Sequence, residues 1–290
     1  MTKLPLIRTF TDSHGVDITF FEWPVAKPKA IVQIAHGLGE HGRRYDHVAE
    51  ALNKAGFSVF ADDHRGHGAT GVNMREKGFI KQQGNLGPGG MPATFAAVRQ
   101  LSHLIRGEHP ETQLVLLGHS WGSMIVQRTL NKFSDEYDLA VLTGSTLLLP
   151  GILPSGGFNK RYQAEAKKTG VEISGGEWLS RDLEVGKKFR ADPLNFGETA
   201  IGVFGVANVL SLLGVPTRKM PADIPILLMA GSDDAIGGEK GNVMLLNAYK
   251  RAGLSDLELI IYDGGRHEVF NETNKDEVIN DLVEWIDSRL

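Results

Sequence analysis

A short apolar run, Leu114-Val115-Leu116-Leu117, leads directly into Gly118-His119-Ser120-Trp121-Gly122, and the next residues, Ser123-Met124-Ile125-Val126-Gln127-Arg128, contain neither glycine nor proline. This pattern predicts a strand, a sharp turn and a helix, with a serine at the tip of the turn. A turn this tight strains the serine backbone and presses the chain two residues to either side against its neighbours, so small residues are required at both flanks. The hydroxyl is thereby pushed into open space at a helix N-terminus, where amide hydrogens and the helix dipole favour negative charge.

The rest of the chain repeats the alternation of strand and helix. Strand-length apolar runs occur at residues 7–10, 16–23, 30–35, 57–61, 114–117, 139–142, 226–230 and 257–262, the first two joined by Asp12-Ser13-His14-Gly15 as a hairpin. Several are almost continuously apolar, as parallel strands covered on both faces are. Tyr45, Val48, Ala49 and Leu52 recur at helical spacing with Gly56 at the stop, and Phe95, Val98, Leu101 and Ile105 give a second helix with Pro92 in its first turn. Val278, Ile279, Leu282, Val283 and Ile286 line one face of a terminal helix. The expected class is α/β, with a mostly parallel eight-stranded sheet flanked by helices. Residues 145–220 break the rhythm and read as a helical insertion, leaving 1–144 and 221–290 as the core. Within the insertion, residues 196–213 carry almost no charge beyond Glu198. They read either as a buried helix or as the wall of a hydrophobic substrate cavity.

Composition narrows the function. The formal charge of −4 is spread without basic or acidic blocks, so neither nucleic acid nor an anionic membrane is expected as a partner. Cysteine is absent, which removes disulfides, thiolate metal sites and cysteine nucleophiles together. No apolar segment approaches the roughly 20 residues that cross a bilayer. The opening Met1-Thr2-Lys3-Leu4-Pro5-Leu6-Ile7-Arg8 lacks the apolar centre of a secretory signal, and a cytoplasmic protein is the simplest expectation.

A serine hydroxyl becomes a useful nucleophile only when a base takes its proton and an acid orients that base. In sites built on such a turn the acid and then the histidine follow the serine in chain order, on loops after late strands. Gly231-Ser232-Asp233-Asp234 follows the run at 226–230, and Asp263-Gly264-Gly265-Arg266-His267 follows the run at 257–262. His267 alone of the ten histidines lies C-terminal to Ser120, which makes it the candidate base. Asp234 is favoured as the acid, with Asp233 in reserve. The tetrahedral oxyanion needs fixed donors: the amide of Trp121, after the nucleophile, and that of Leu38, in the His36-Gly37-Leu38-Gly39 loop after residues 30–35. His36 and His119 read as structural hydrogen-bonding residues. Asp62-Asp63-His64-Arg65-Gly66-His67-Gly68 groups two histidines with two carboxylates, but a polar loop leaving a strand accounts for them as well as a metal site does. Gly84-Asn85-Leu86-Gly87-Pro88-Gly89-Gly90 lacks the preceding strand and following lysine of a phosphate loop and reads as a mobile surface loop.

His36-Gly37-Leu38-Gly39-Glu40-His41-Gly42, Asp63-His64-Arg65-Gly66-His67-Gly68 and Gly118-His119-Ser120-Trp121-Gly122 together resemble the monoacylglycerol lipase and lysophospholipase-like group of α/β-hydrolases, and the likeness extends over nearly the whole chain. Gly231-Ser232-Asp233-Asp234 looks like that group's Gly-x-x-Asp acid loop, which supports Asp234, and Arg266-His267-Glu268 matches its histidine loop. The resemblance implies the α/β-hydrolase fold with a helical cap after the sixth strand. It also implies hydrolysis of carboxylic esters such as monoacylglycerols, lysophospholipids or similar small esters, an acyl chain bound beneath the cap, and no cofactor. Two positions depart from the group: Trp121 stands where methionine is common, and Pro88-Gly89-Gly90-Met91 where a more acidic helix entry is usual. A serine aminopeptidase or amidase on the same scaffold, and a hydrolase-derived binding protein with little turnover, are the competing expectations.

Overall fold

The computed structural model describes residues 4–149, 157–197 and 199–290. Met1, Thr2 and Lys3 of the opening stretch, and 150–156 and Glu198 of the insertion, lie outside the described residues.

All eight predicted strands form: β1 (Leu6–Thr11), β2 (Asp17–Trp23), β3 (Ala30–Ala35), β4 (Ser58–Asp62), β5 (Gln113–His119), β6 (Leu139–Thr143), β7 (Ile226–Gly231) and β8 (Leu257–Tyr262). They make one sheet in the order β1-β2-β4-β3-β5-β6-β7-β8. β1 and β2 pair antiparallel with each other and β2 with β4, while every pairing from β4 through β8 is parallel. Every residue of β3, β4, β6 and β7 is buried, which is why these runs show no polar alternation.

Helices cover both faces. Alternate residues of the central strands, such as Leu114 and Leu116 of β5, pack with α3 (Gly90–Glu108), α4 (Trp121–Phe133) and α9 (Gly238–Ala252). The intervening Val115 and Leu117 pack with α1 (Asp46–Lys54) and α10 (Lys275–Asp287). Gly56 ends α1 as predicted: at φ 95° its N–H reaches the carbonyl of Asn53, and the N–H of Phe57 reaches that of Leu52.

Two helices had no clear sequence signal. α2 (Gly68–Glu76) opens on Gly68-Ala69-Thr70-Gly71, in which two glycines and a threonine disfavour a helix, yet the Asp63 carboxylate accepts the Ala69 N–H at 2.6 Å and supplies the cap from outside the helix. α9 begins at Gly238 and carries Gly241, where a Cβ would stand 2.6 Å from Thr146 Oγ1. Between β6 and β7 lie α5 (Asn159–Thr169), α6 (Leu183–Ala191), α7 (Ala200–Phe204) and α8 (Val206–Leu210), so the stretch without strands is helical. Its apolar part is not one helix, because Gly205, at φ 76° and ψ 160°, separates α7 from α8.

Residues 84–90 are a loop, but a tethered one. Fully buried Arg65 donates from Nε to the Leu86 carbonyl at 2.9 Å and from Nη2 to that of Pro88, while its Nη1 pairs with Asp12. Gly84 N–H donates to Gly66 at 2.8 Å, and Leu86 is buried in the core. Asn85, Pro88 and Gly89 are exposed, so the loop lies at the surface as expected, and what the sequence did not disclose is the buried guanidinium that needs its carbonyls as acceptors.

Candidate active site

The sheet changes direction of travel at β3, with β4 on one side of it and β5 on the other. In open α/β sheets ligands settle outside the carboxyl ends of the strands at such a point. The loop after β3 carries Leu38 and the turn after β5 carries Ser120, so the topology sets both at the same crevice. Ser120 has φ 53° and ψ −119°, one of two non-glycine residues with positive φ among those described. The flanking glycines are obligatory here. A Cβ on Gly118 would lie 2.5 Å from the Gly122 carbonyl oxygen, and one on Gly122 would lie 2.0 Å from that of Ala35. The Ser120 N–H is held by the Thr143 carbonyl at 2.9 Å, which ties the strained turn to β6.

Asp234 and His267 arrive on the loops after β7 and β8. Their side chains are buried, and His267 Nδ1 donates to Asp234 Oδ1 at 3.0 Å. Asp234 Oδ1 also accepts the Ile236 N–H at 2.8 Å. Burial by itself pushes the His267 imidazole down, but Asp234, helped by Glu268 and Glu40, more than reverses this and holds it above the ordinary histidine value. Burial likewise pushes the Asp234 carboxyl up, and His267 with the Ile236 amide brings it below its ordinary value. His267 Nε2 is buried with no hydrogen-bond partner among the described residues. The His267 ring lies 4.8 Å from that of His119, the residue before Ser120. Gly144 closes the same space, since a Cβ there would meet both rings within 3 Å. Asp233 faces elsewhere: it is 42% exposed and paired with Arg161 at 2.7 Å.

The loop after β3 is braced by Glu40, which its own motif contains, and by Arg44, which no motif includes. Glu40 accepts the Gly37 N–H at 2.6 Å and the Tyr45 hydroxyl at 2.9 Å. Arg44 donates to Glu40 at 2.6 Å and forms a two-pronged pair with Glu268, next to His267, at 2.7 Å on each prong. Burial would raise the Glu268 carboxyl, but Arg44 pulls it to about 2. Behind them Glu272, fully buried, accepts the N–H groups of Arg181, Arg266 and Thr273 and so fixes the histidine loop. No spacing in the sequence betrays which charged residue each of them meets.

The histidines of the first motifs are structural in geometry. His36 Nδ1–H donates to the Gly37 carbonyl at 2.7 Å and its Nε2 accepts the His64 N–H at 2.9 Å, as the sequence reading expects. Burial holds His36 well below the ordinary value and takes His67 down to about 3. The Asp62 to His67 stretch, expected as an ordinary polar loop, is buried completely: His64 pairs with Asp62 at 2.7 Å and its ring meets the Trp121 indole edge-on. Among the described residues no group of three His, Cys, Asp or Glu is arranged to hold a metal ion.

Ser120 opens onto a cavity of about 890 Å³, within the usual range for small-molecule sites. Leu38 and Trp121 line it, and neither of their amides donates a hydrogen bond to another described residue. Trp121 packs its indole against Phe204 at 4.6 Å and His67 at 4.9 Å. Phe204 and Ile201 of α7, with Val209 of α8, form an apolar wall, so part of this apolar stretch lines the cavity, while Val206 and Leu210 face outward. The inserted segment also touches each loop around the serine. Phe196 N–H donates to Gly39 at 3.0 Å, Asp192 pairs with His41, and Arg161 and Tyr162 bond the Asp233 carbonyl. Arg266, His267 and Glu268 bond the backbone of residues 177–180.

Comparison with known proteins agrees with this geometry. The family described as serine aminopeptidase, S33, matches residues 26–274. A monoacylglycerol lipase of Mycolicibacterium smegmatis is 32% identical, with 98% of this chain and 97% of that protein covered. A monoglyceride lipase of Rattus norvegicus is 27% identical over 92% of this chain and 85% of its own. Among solved structures, a lipase in an open form superposes with a TM-score of 0.81 at 30% identity, covering 98% of this chain and 99% of that one. A thermostable carboxyl esterase from Bacillus coagulans gives 0.81 at 25% identity, covering 99% of each chain. The strained serine at the switch point of an eight-stranded sheet and the full-length likeness lead to one conclusion: the chain belongs to the serine aminopeptidase S33 family of α/β-hydrolases, in its monoacylglycerol lipase-like group.

Proposed function

We propose that the chain is a cytoplasmic serine hydrolase of carboxylic esters with an apolar acyl group, monoacylglycerols, lysophospholipids or similar small esters. In this reading residues 1–144 and 221–290 are the catalytic core and 145–220 a cap over the serine. Ser120 Oγ attacks the ester carbonyl while His267 Nε2 takes its proton, and Asp234 holds the imidazole through Nδ1–H and offsets its positive charge. The carbonyl oxygen becomes an oxyanion held by the Leu38 and Trp121 amides. Collapse breaks the bond to the alcohol, which leaves with the proton from His267. Water, deprotonated by the same nitrogen, then releases the acid and restores Ser120.

The observation that carries this reading is the buried Asp234–His267 pair, its imidazole packed on His119, the residue before a strained serine that opens onto an apolar cavity. Contacts between nucleophile and base are commonly loose before substrate binds, so an unpartnered Nε2 is compatible with the role. The names of the relatives support an ester substrate. So does the wall, which Leu38, Trp121, Met124, Ile201, Phe204 and Val209 make largely apolar. A fluorophosphonate probe should label Ser120 in the folded protein, and Ser120→Ala should cost about 10⁶-fold in kcat. Nitrophenyl esters of increasing chain length should be hydrolysed far faster than aminoacyl nitroanilides. The reverse order would move the assignment to a peptidase, and tight ligand binding without a burst of alcohol to a binding protein.

A further inference from the structure

Trp178, in the inserted segment before α6, stacks on the His267 imidazole with ring centroids 4.8 Å apart and planes 26° from parallel. Phe158 backs it at 5.0 Å. The same residue holds the histidine backbone, since the His267 N–H donates to the Trp178 carbonyl at 3.3 Å and the next amide, of Glu268, to Leu179 at 2.8 Å. The imidazole also meets the His119 ring at 4.8 Å, with the planes 51° apart. The imidazole is thus fixed at its edge by Asp234 and packed against two aromatic rings.

We infer that Trp178 is a positioning residue, which holds the His267 ring square to Ser120 and stabilises it when it carries the proton. This rests on His267 being the base. A cation against an indole face gains more than against any other aromatic ring, and more still where water is excluded. The groups facing His267 leave room for that effect. Asp234, Glu268 and Glu40 are the anions around it. His119, taken down to about 4 by burial and by His267 itself, stays neutral and does not share the proton. A consequence is that the inserted segment, and not the sheet alone, completes the catalytic base.

The test compares Trp178→Leu, which keeps an apolar cover without a π face, with Trp178→Phe, which keeps a weaker one. Each is checked first for an unchanged melting temperature. For Trp178→Leu, kcat on a short-chain nitrophenyl ester should fall about tenfold, KM should move less than kcat, and the acid limb of the kcat profile should shift to lower pH. Trp178→Phe should recover most of kcat. Wild-type kcat and an unmoved limb in the leucine variant, or a raised KM with kcat intact, would overturn the inference and leave Trp178 a mere cavity wall. His267→Ala separates this from the parent reading: full activity there would remove His267 as base whatever Trp178 does.

Discussion

Asp233 and Asp234 are neighbours in the chain and opposite in circumstance. Asp233 is held at the surface by Arg161, whereas Asp234 is buried against His267. Asp234→Asn should lower kcat about 10⁴-fold through loss of ring orientation and charge compensation, and Asp233→Asn should keep activity within a few-fold, both measured on one nitrophenyl ester. The pH dependence follows from the same pair. As the proposed base His267 must be neutral to act, and Asp234 raises its pKa, so activity should climb with pH through a limb above the ordinary histidine value of about 6.5. A kcat/KM profile with its limb below that value would contradict the pairing. The serine turn was legible because only glycine fits at Gly118 and Gly122. The choice between the two aspartates was not fully so, because adjacent residues on a loop differ only in where the loop aims them.

At the scale of elements, the loops carrying Leu38 and His267 come from distant strands and are joined by Arg44, between Glu40 and Glu268. All three side chains are largely buried, so removing Arg44 takes away the cation that both buried carboxylates share. Arg44→Met should destabilise the fold by about 3–5 kcal/mol in denaturant titrations. Rescue of the stability by the triple change with Glu40→Gln and Glu268→Gln would show that stranded charge is the cause. This network left no mark in the sequence, since no period or spacing connects residues 40, 44 and 268. α2 escaped for a related reason: its glycine-rich first turn is capped by Asp63, which lies before the helix in the chain and reaches it by tertiary packing. Strands, whose identity is carried by their own burial, were legible almost to the residue.

For the whole molecule, burial of the central strands and of the loops at their carboxyl ends buries polar residues along with the apolar ones. His36, His67 and His119 are all kept neutral by it, the last two down to about 3 and about 4. An unfolded chain takes up these protons near pH 6.5 while the folded one refuses them, so stability should fall as pH drops from about 6.5 toward 4. Melting temperatures across that range should decline, and a flat profile would mean that these rings are more open to water. The sequence by itself determined the eight strands, the position of the strained serine and the chain order of Ser120, the aspartate pair and His267. These are properties of short segments: apolar period, a steric demand for glycine, and chain order. Tertiary structure alone decided which aspartate meets His267, that Arg44 joins two loops, that Arg65 tethers residues 84–90, and that Trp178 reaches the imidazole from the insertion. Such contacts join residues far apart in the chain, and their geometry exists only once the sheet has set its strand ends side by side.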